Sequence, residues 1–242
     1  MNNETLHIIG NEFSRGIGHP FEWWEHRLNI YEHFTLTSIK NQTNKNFVIS
    51  MTIDNYFPPE LIPRLEKMLI ESGQQFIFAN RYLNNFAEKM KPYLQYKYIY
   101  HTRIDSDDLF HKDIVNEIQK YEYSYRRALV FQKGYCYDCK NKRLQHYKMS
   151  SPPFSTIMFP IDIYLDELKR REYMNIRGHD MVLKQMNSMI LSENKFIVLV
   201  HGGNLDTWYD TRKEVGRIEI AQNEHNNILS DFGINSETFS KI

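Results

Sequence analysis

The sequence is poor in the residues that build disulfide-rich, fibrous or linker-like proteins. Its 242 residues include two Cys, ten Gly and eight Pro, whereas Gly and Pro usually make up about 7% and 5% of a protein. The two Cys exclude a disulfide scaffold, and the shortage of Gly and Pro excludes collagen-like and low-complexity chains. A run of about 18 apolar residues is also missing, so the sequence predicts no transmembrane helix.

An excess of charge of either sign is missing as well. The chain has 30 Lys and Arg against 30 Asp and Glu, and a protein that neutralises many phosphates usually shows a basic excess. Nucleic acid is therefore not an expected partner. Residues 1–5 are polar and do not resemble a signal peptide. These features predict a cytoplasmic protein, for which a peripheral contact with a membrane stays open.

Cys136 and Cys139 form a Cys-x-x-Cys pair. A zinc site needs a second pair of ligands at suitable spacing, and the sequence has none after this pair. A thioredoxin-like pair opens a helix after a strand, whereas the residues around this pair alternate as those of a strand do. We therefore expect two free thiols on a hairpin, in a reducing compartment.

Strand-like and helix-like segments alternate in the first hundred residues. Strands are predicted at residues 6–9, 47–53, 75–79 and 96–104, and helices at residues 21–39, 58–71 and 80–90. This alternation favours βαβ units, whose strands form a mainly parallel sheet with helices on its faces.

The pattern becomes less regular after Asp108. Further strands are predicted at residues 128–133, 135–138, 143–147, 156–159 and 196–201, and further helices at residues 111–121, 163–173, 179–189 and 224–232. We expect a single α/β domain, residues 1–242, with a Rossmann-like, mixed and mainly parallel sheet. In this domain, residues 1–108 form the nucleotide-binding half, residues 109–215 the acceptor side and residues 216–242 a C-terminal appendage.

Three carboxylates, those of Asp105, Asp107 and Asp108, follow a predicted strand within four residues. Ligands of open α/β sheets bind outside the carboxyl ends of the strands, and carboxylates this close raise one another's pKa unless a cation neutralises them. Mg²⁺ or Mn²⁺ holding a diphosphate would neutralise them. An Asp-x-Asp at this position is the signature of GT-A type nucleotide-sugar glycosyltransferases. The alternative is an acidic turn that caps the next helix.

Three well-separated segments resemble the rhamnosyltransferase family. Residues 27–47 are similar to its opening helix, with Thr37 in place of the family's Pro. Residues 103–108 are similar to its Arg-Leu-Asp-x-Asp-Asp motif, and residues 229–234 to a terminal stretch. The resemblance implies a GT-A fold and a metal-dependent, inverting hexosyltransferase of polysaccharide biosynthesis. Its donor would be a UDP- or dTDP-linked sugar such as rhamnose, and its acceptor a glycan or glycoconjugate.

The resemblance also implies roles for residues of the acidic motif and of a later segment, Val-His-Gly-Gly-Asn. Asp107 is the expected metal ligand, assisted by Asp105 and Asp108. In many GT-A enzymes a late His completes the metal shell, which makes His201 a candidate metal or diphosphate ligand with Asn204 beside it. The two Gly between them allow a close approach of the backbone to a ligand. A structural role for His201 is an equally good alternative.

The segment Arg-Gly-His-Asp-Met at residues 177–181 opens a predicted helix. In inverting GT-A enzymes an Asp at a helix start deprotonates the acceptor hydroxyl, so the resemblance makes Asp180 the candidate general base. Inversion is a single displacement and needs such a base but no protein nucleophile. His179 is a candidate acceptor contact and ranks below Asp180 as a base. The alternative for Asp180 is an acidic residue that the helix dipole stabilises.

Residues that would recognise the donor nucleotide carry a weaker signal. Asp54 ends the second predicted strand, where related enzymes often place an acid that reads the pyrimidine base. Arg15, Arg81 and Arg103 are candidates for contacts with the diphosphate or the base. A surface charge without a binding role is the alternative for each of them.

Two other functions remain compatible with the sequence. A nucleotidyltransferase or phosphohydrolase also uses clustered carboxylates with Mg²⁺, and two tightly bound metals would favour it. A catalytically inactive sugar-binding relative would keep the fold. In that protein, replacement of Asp105, Asp107 or Asp180 would leave ligand binding intact.

Overall fold

The strands of the protein form one continuous sheet. The structure, a computed structural model, describes residues 3–13, 17–80, 85–149, 152, 154–175, 181–205, 207, 209 and 217–241. Within these ranges the strands are Thr5–Phe13 (β1), Val48–Ile53 (β2), Phe76–Asn80 (β3), Tyr98–Arg103 (β4), Asp108–Phe110 (β5), Arg127–Asp138 (β6), Arg143–Lys148 (β7), Ser155–Pro160 (β8) and Asn187–Val200 (β9). Their order across the sheet is β3-β2-β1-β4-β8-β6-β9-β5, with β7 paired to β6.

Of the helices that the structure describes, all α-helices but the last lie in the connections between strands. The α-helices are Phe21–Ile30 (α1), Leu36–Lys40 (α2), Ile62–Glu71 (α3), Phe86–Lys89 (α4), Ile114–Ile118 (α5), Ile161–Leu165 (α6), Glu167–Met174 (α7), Val182–Gln185 (α8) and His225–Ser230 (α9). Short 3₁₀ turns lie at Pro59–Leu61, Lys91–Tyr93, Gln222–Glu224 and Thr238–Lys241. A π-helical turn, Tyr31–Thr35, joins α1 to α2. Residues 21–40 therefore form one helical segment, close to the predicted one. None of the helices in the described ranges is long and apolar enough to cross a membrane.

The first half of the chain forms a parallel layer. β3, β2, β1 and β4 are parallel neighbours, as the alternation of strands and helices predicted. Because parallel strands point the same way, the residues that follow β1, β2, β3 and β4 all meet at one edge of the sheet, which is where α/β proteins bind ligands.

The second half of the chain extends this sheet with a mixed layer. β4 pairs antiparallel with β8 and β8 antiparallel with β6, so β6 points the same way as β4. β9 is parallel to β6, and β5 is antiparallel to β9. The carboxyl end of β9 therefore lies at the same edge as that of β4. The predicted α/β class with a mixed sheet is confirmed.

The sheet must curl to connect β4 with β5. These strands are four positions apart in the sheet, which is about 19 Å at about 4.8 Å per strand. The five residue steps from Arg103 to Asp108 reach about 18 Å at most when fully extended. The connection also contains a turn in which the Asp108 N–H donates to the Asp105 carbonyl oxygen at 3.3 Å. Curling brings the two strand ends within reach, and with them the acidic motif.

Both faces of the sheet are covered. Successive residues of a strand point to opposite faces, so Ile9 packs in a cluster with Trp24 and Leu28 of α1 while Ile8 packs in a cluster with Tyr164 of α6. A third cluster joins β6, β7 and β9 to the C-terminal segment. Its buried members from that segment are Ile220, Leu229, Phe232, Ile234 and Phe239.

Several predicted features of the second half are wrong. The single helix predicted at residues 163–173 is two helices, α6 and α7, because Asp166 between them has an extended backbone and caps α7. The strands predicted at residues 128–133 and 135–138 are one strand, β6, because β9 pairs with it along its whole length from Arg127 to Asp138. The helix predicted at residues 179–189 is reduced to α8, and Asn187 already begins β9. Pairing with β6 thus overrides the local helical pattern. Cys136 lies on β6 and Cys139 just after it, both as free thiols at a hairpin, as expected.

Candidate active site

Two strand ends bring the acidic motif and His201 together. Asp107 immediately precedes β5, and His201 immediately follows β9. Since β5 and β9 are antiparallel neighbours in which Asp108 faces Val198, residues just before β5 lie beside residues just after β9. This position is at the carboxyl edge of β4 and β9, where the fold favours ligand binding.

Arg27 of α1 reaches into this edge and contacts the acidic motif. Its guanidinium donates through Nη1 to Oδ2 of Asp107 and through Nη2 to Oγ of Ser106, the latter at 3.0 Å. The Arg27 and Asp107 side chains are each only 11% exposed. The Trp23 ring centre lies 5.4 Å from the guanidinium carbon. Removing one partner of a buried ion pair of this kind typically costs about 3–5 kcal/mol.

His201 and Asn204 approach the same carboxylate oxygen from the other side. His201 Nε2 lies 3.2 Å from Oδ2 of Asp107, and the Asn204 amide donates to that oxygen at 3.3 Å. The backbone N–H of His201 donates to Oδ1 of Asn204 at 2.8 Å, which holds the two residues together. On its far side, His201 Nδ1 lies 3.1 Å from Nε2 of His26. We call Arg27, Ser106, Asp107, His201 and Asn204 the charged cluster.

The two Gly after His201 allow this arrangement. Gly202 has a φ of +83°, a left-handed conformation that side chains rarely adopt. A Cβ on Gly203 would lie 3.0 Å from the His26 ring and 3.3 Å from the His201 ring. The glycines therefore make a tight turn that lets the two imidazoles meet, rather than only exposing backbone to a ligand.

Asp107 and Asp108 are adjacent buried carboxyls whose pKa values shift in opposite directions. Burial raises the pKa of Asp107, but Arg27 and His201 outweigh it and hold that pKa below its ordinary value. Burial and the neighbouring charges of Asp107 and Asp105 raise the pKa of Asp108 well above its ordinary value. Asp107 is thus an ionised acid at neutral pH. The Oδ1 atom of Asp108 accepts the backbone N–H of Leu199 at 3.3 Å.

The three carboxyl groups of the acidic motif lie in different surroundings. Asp105 accepts a hydrogen bond from Arg103 at 2.6 Å, and both side chains are well exposed. Asp108 lies in β5, against the backbone of β9. The chain continues from the motif into β5 rather than into a helix, so the alternative of a helix-capping acidic turn is wrong.

The donor atoms of the charged cluster fit a divalent cation only in part. In the described ranges, no three His, Cys, Asp or Glu side chains are grouped so as to hold a metal ion. Asp107 and His201 offer two donor atoms 3.2 Å apart, and adjacent ligands of an octahedral cation with bonds of about 2.1 Å lie about 3.0 Å apart. Mg²⁺ often takes one or two protein ligands and completes its shell with phosphate and water. Asp107 and His201 would thus fit a cation that a diphosphate helps to hold, in the tautomer of His201 whose Nε2 carries no hydrogen and with the contact between the two side chains opened.

Asp54 lies at the same edge but outside the charged cluster. It follows β2, two strands away from β4, and its side chain is buried. Its Oδ1 accepts the Tyr56 N–H at 2.9 Å, which shapes the turn after β2. The remaining candidates from the sequence lie outside the described residues. They are Arg15, Arg81, His179 and Asp180.

Arg27 and His26 had no predicted role in the site. A signal for Arg27 was present, because it lies three residues after Trp24 and four before Tyr31 on the apolar face of the predicted helix. A charged residue at a buried helical position needs a partner. His26 carries no comparable signal, since its contact with His201 joins residues 175 positions apart.

Comparisons with known proteins identify the class and then the family. The match to the family described as "Putative rhamnosyl transferase" extends over residues 18–212, well over half of the chain. The chain belongs to this family, whose description is that of a glycosyltransferase. The resemblance that the three segments indicated is thereby confirmed. No curated protein matches the sequence.

Several solved structures are similar to this chain at low sequence identity. TarS residues 1–349 from S. aureus in complex with UDP are 11% identical, with a TM-score of 0.48, 81% of this chain covered and 60% of that one. A second crystal structure of TarS residues 1–349 is 10% identical, with a TM-score of 0.45, 80% of this chain covered and 60% of that one. A cytidylyltransferase from Leptospira borgpetersenii is 12% identical, with a TM-score of 0.41 and coverages of 79% and 77%. This chain thus spans about three fifths of the TarS fragment.

Proposed function

We propose that this glycosyltransferase moves a sugar, with inversion, from a UDP- or dTDP-linked donor to a hydroxyl of a glycan or glycoconjugate. The family suggests rhamnose as the sugar and polysaccharide biosynthesis as the setting. The proposal includes a divalent cation, Mg²⁺ or Mn²⁺, held by Asp107 and His201.

The observation that carries this proposal is the charged cluster at the carboxyl edge of the sheet. An ionised Asp107, a buried His201 side chain and the Arg27 guanidinium meet within hydrogen-bonding distance there. A sugar diphosphate brings negative charge that needs neutralising groups of this kind. The cluster offers two metal donors and one fixed cation at the position where ligands bind to the fold.

The reaction forms one bond and breaks one. The acceptor oxygen bonds to the anomeric carbon as the bond from that carbon to the diphosphate oxygen breaks, and the diphosphate leaves with the electron pair. A bound divalent cation would stabilise the negative charge that develops on this leaving group. Asn204, whose amide donates to Oδ2 of Asp107, would hold that carboxylate in position. Asp180 is the proposed base that takes the acceptor proton.

The first experiment is a calorimetric titration of UDP, dTDP, GDP and CDP into the protein, each with and without Mn²⁺. We expect UDP or dTDP to bind, and to bind more tightly with Mn²⁺ present. If no nucleoside diphosphate binds under either condition, the proposed donor class is wrong.

The base is tested separately from the donor site. Asp180→Asn should keep the nucleotide affinity of the wild type and lose transfer to the acceptor, because the carboxylate acts only on the acceptor proton. The anomeric configuration of the product, measured by NMR spectroscopy, should be opposite to that of the donor. A product with retained configuration would contradict the single-displacement mechanism.

A further inference from the structure

We propose that Arg27 is an internal counter-cation, which holds Asp107 until a nucleoside diphosphate arrives and then binds the diphosphate, so that divalent metal and nucleotide enter the site together. This inference rests on the proposed function and adds an order of binding and a diphosphate-binding residue to it.

The first support is the crowding at one oxygen atom. Oδ2 of Asp107 receives Nη1 of Arg27, Nε2 of His201 at 3.2 Å and Nδ2 of Asn204 at 3.3 Å. A carboxylate oxygen with three nitrogen neighbours has little room left for a cation. A metal ion must therefore displace at least one of these groups from that oxygen before the oxygen can ligate it.

The second support is the charge of the displaced group. The guanidinium of Arg27 is permanently positive, and its side chain is 11% exposed. A divalent cation beside Asp107 would repel it at short range in a poorly solvated site. A diphosphate reverses this balance, because its negative oxygens attract both the metal ion and the guanidinium. Metal without nucleotide should therefore bind weakly.

The third support is an unused donor. Within the described part of the chain, the buried Nε–H of Arg27 has no hydrogen-bond partner, and buried polar groups are rarely left so. Ser106 and the Trp23 ring hold the guanidinium at the edge of the site. A diphosphate oxygen would supply the missing acceptor, and Arg is well suited to such pairing because its donors form a planar fork.

The test measures Mn²⁺ and nucleotide affinity, with no need for turnover. Mn²⁺ binding is followed by electron paramagnetic resonance, alone and with saturating UDP or dTDP, for the wild type, Arg27→Met and Arg64→Met. Arg64 of α3 is the matched control. It pairs with Asn29 and Glu32 of the helical segment at residues 21–40, which also contains Arg27, but it does so away from the charged cluster.

For the wild type we expect Mn²⁺ to bind at least tenfold more tightly with nucleotide than without it. Arg27→Met should bind Mn²⁺ alone at least tenfold more tightly than the wild type, and the nucleotide at least tenfold more weakly. Arg64→Met should match the wild type in both. A folded Arg27→Met that matches the wild type in its affinity for Mn²⁺ alone and for the nucleotide would overturn the inference while leaving the proposed function in place.

A second variant covers the case in which Arg27→Met does not fold. Arg27→Lys keeps the positive charge but loses the fork and the Nε–H. We expect Mn²⁺ alone to bind it as weakly as the wild type, with nucleotide affinity reduced about tenfold. Wild-type nucleotide affinity in Arg27→Lys would refute the proposed contact with the diphosphate. Failure of every nucleotide to bind the wild type would instead overturn the proposed function itself.

Discussion

Two clusters of buried polar side chains in this protein offset the free-energy cost of burial in different ways. The charged cluster at the carboxyl edge keeps an ionised carboxylate beside a guanidinium and an imidazole. Where β4 of the parallel layer meets β8 of the mixed layer, a neutral cluster consists of His7, Thr102, Gln119 and Thr156. There, Nε2 of His7 lies 2.7 Å from Oγ1 of Thr102, which lies 2.6 Å from Oγ1 of Thr156, and the Gln119 amide reaches Nδ1 of His7.

The difference lies in whether a counter-charge is present. Burial lowers the pKa of His7 to about 3, with a further contribution from His101, so this imidazole stays neutral at physiological pH. The carboxylate of Asp107 keeps its charge because Arg27 and His201 offset the cost of burial. A neutral network serves the stability of the sheet, whereas a charged one can exchange its internal partner for a ligand.

The largest expected effect comes from removing the charge of Asp107. Asp107→Asn keeps the shape of the side chain but loses a metal ligand and the counter-charge of Arg27. We expect Mn²⁺-dependent nucleotide binding and transfer to fall by about 10²–10³-fold, which corresponds to several kcal/mol. Calorimetry with UDP and dTDP measures the binding, and circular dichroism checks the fold. If a folded Asp107→Asn variant binds the nucleotide as the wild type does, the charged cluster has no role in nucleotide binding.

The next largest effect is expected for Gly10→Ala, a substitution near the neutral cluster that should change stability alone. A Cβ on Gly10 would lie 2.2 Å from Nε2 of His101, and overpacking in a core typically costs about 1–3 kcal/mol. Gly10→Ala should therefore lower the free energy of unfolding in urea by that amount. In the double variant Gly10→Ala with His101→Ala, the loss of stability should be smaller than the sum of the two single losses. If the double variant is less stable than the two single effects predict, the steric explanation is wrong.

The neutral cluster also predicts a dependence of stability on pH. The pKa of His7 is about 3 in the folded protein, below the ordinary value of about 6.5. Between pH 6.5 and pH 3, the unfolded chain therefore binds a proton at His7 that the folded protein does not bind. Stability should fall as the pH drops below about 6.5, by about 2 kcal/mol from this residue between pH 7.5 and pH 5.

The variant His7→Gln isolates that contribution. Gln can bond to Thr102 but does not titrate, so its urea unfolding curves should show a pH dependence about 2 kcal/mol smaller over the same interval. An unchanged pH dependence would mean that other groups cause the loss of stability in acid.

The smallest effect is expected for the exposed acid of the motif. Asp105 pairs with Arg103, and both side chains are well exposed. Exposed ion pairs contribute about 0–1 kcal/mol. Asp105→Asn should change the stability by no more than that and the nucleotide affinity by less than about fivefold, which makes it the matched control for Asp107→Asn. A loss as large as that of Asp107→Asn would show that the two acids act together after all.

Much of the parallel layer could be predicted from the sequence. Its strands are short apolar runs and its helices have apolar faces, so local periodicity is enough to recognise both. The second half was harder to predict, because β6 and β9 pair with each other over most of their length and this pairing overrides local preference. The helix predicted at residues 179–189 failed for this reason.

The sequence by itself determined the family, the alternation of strands and helices, and an acidic motif with a later His at strand ends. Only the tertiary structure decided how the three acids differ, since Asp105, Asp107 and Asp108 are close in sequence but meet different neighbours. Curling of the sheet, pairing of β5 with β9 and the position of α1 bring Arg27 and His201 to Asp107. The physical reason is that the charge state of a buried group depends on partners far away in the chain.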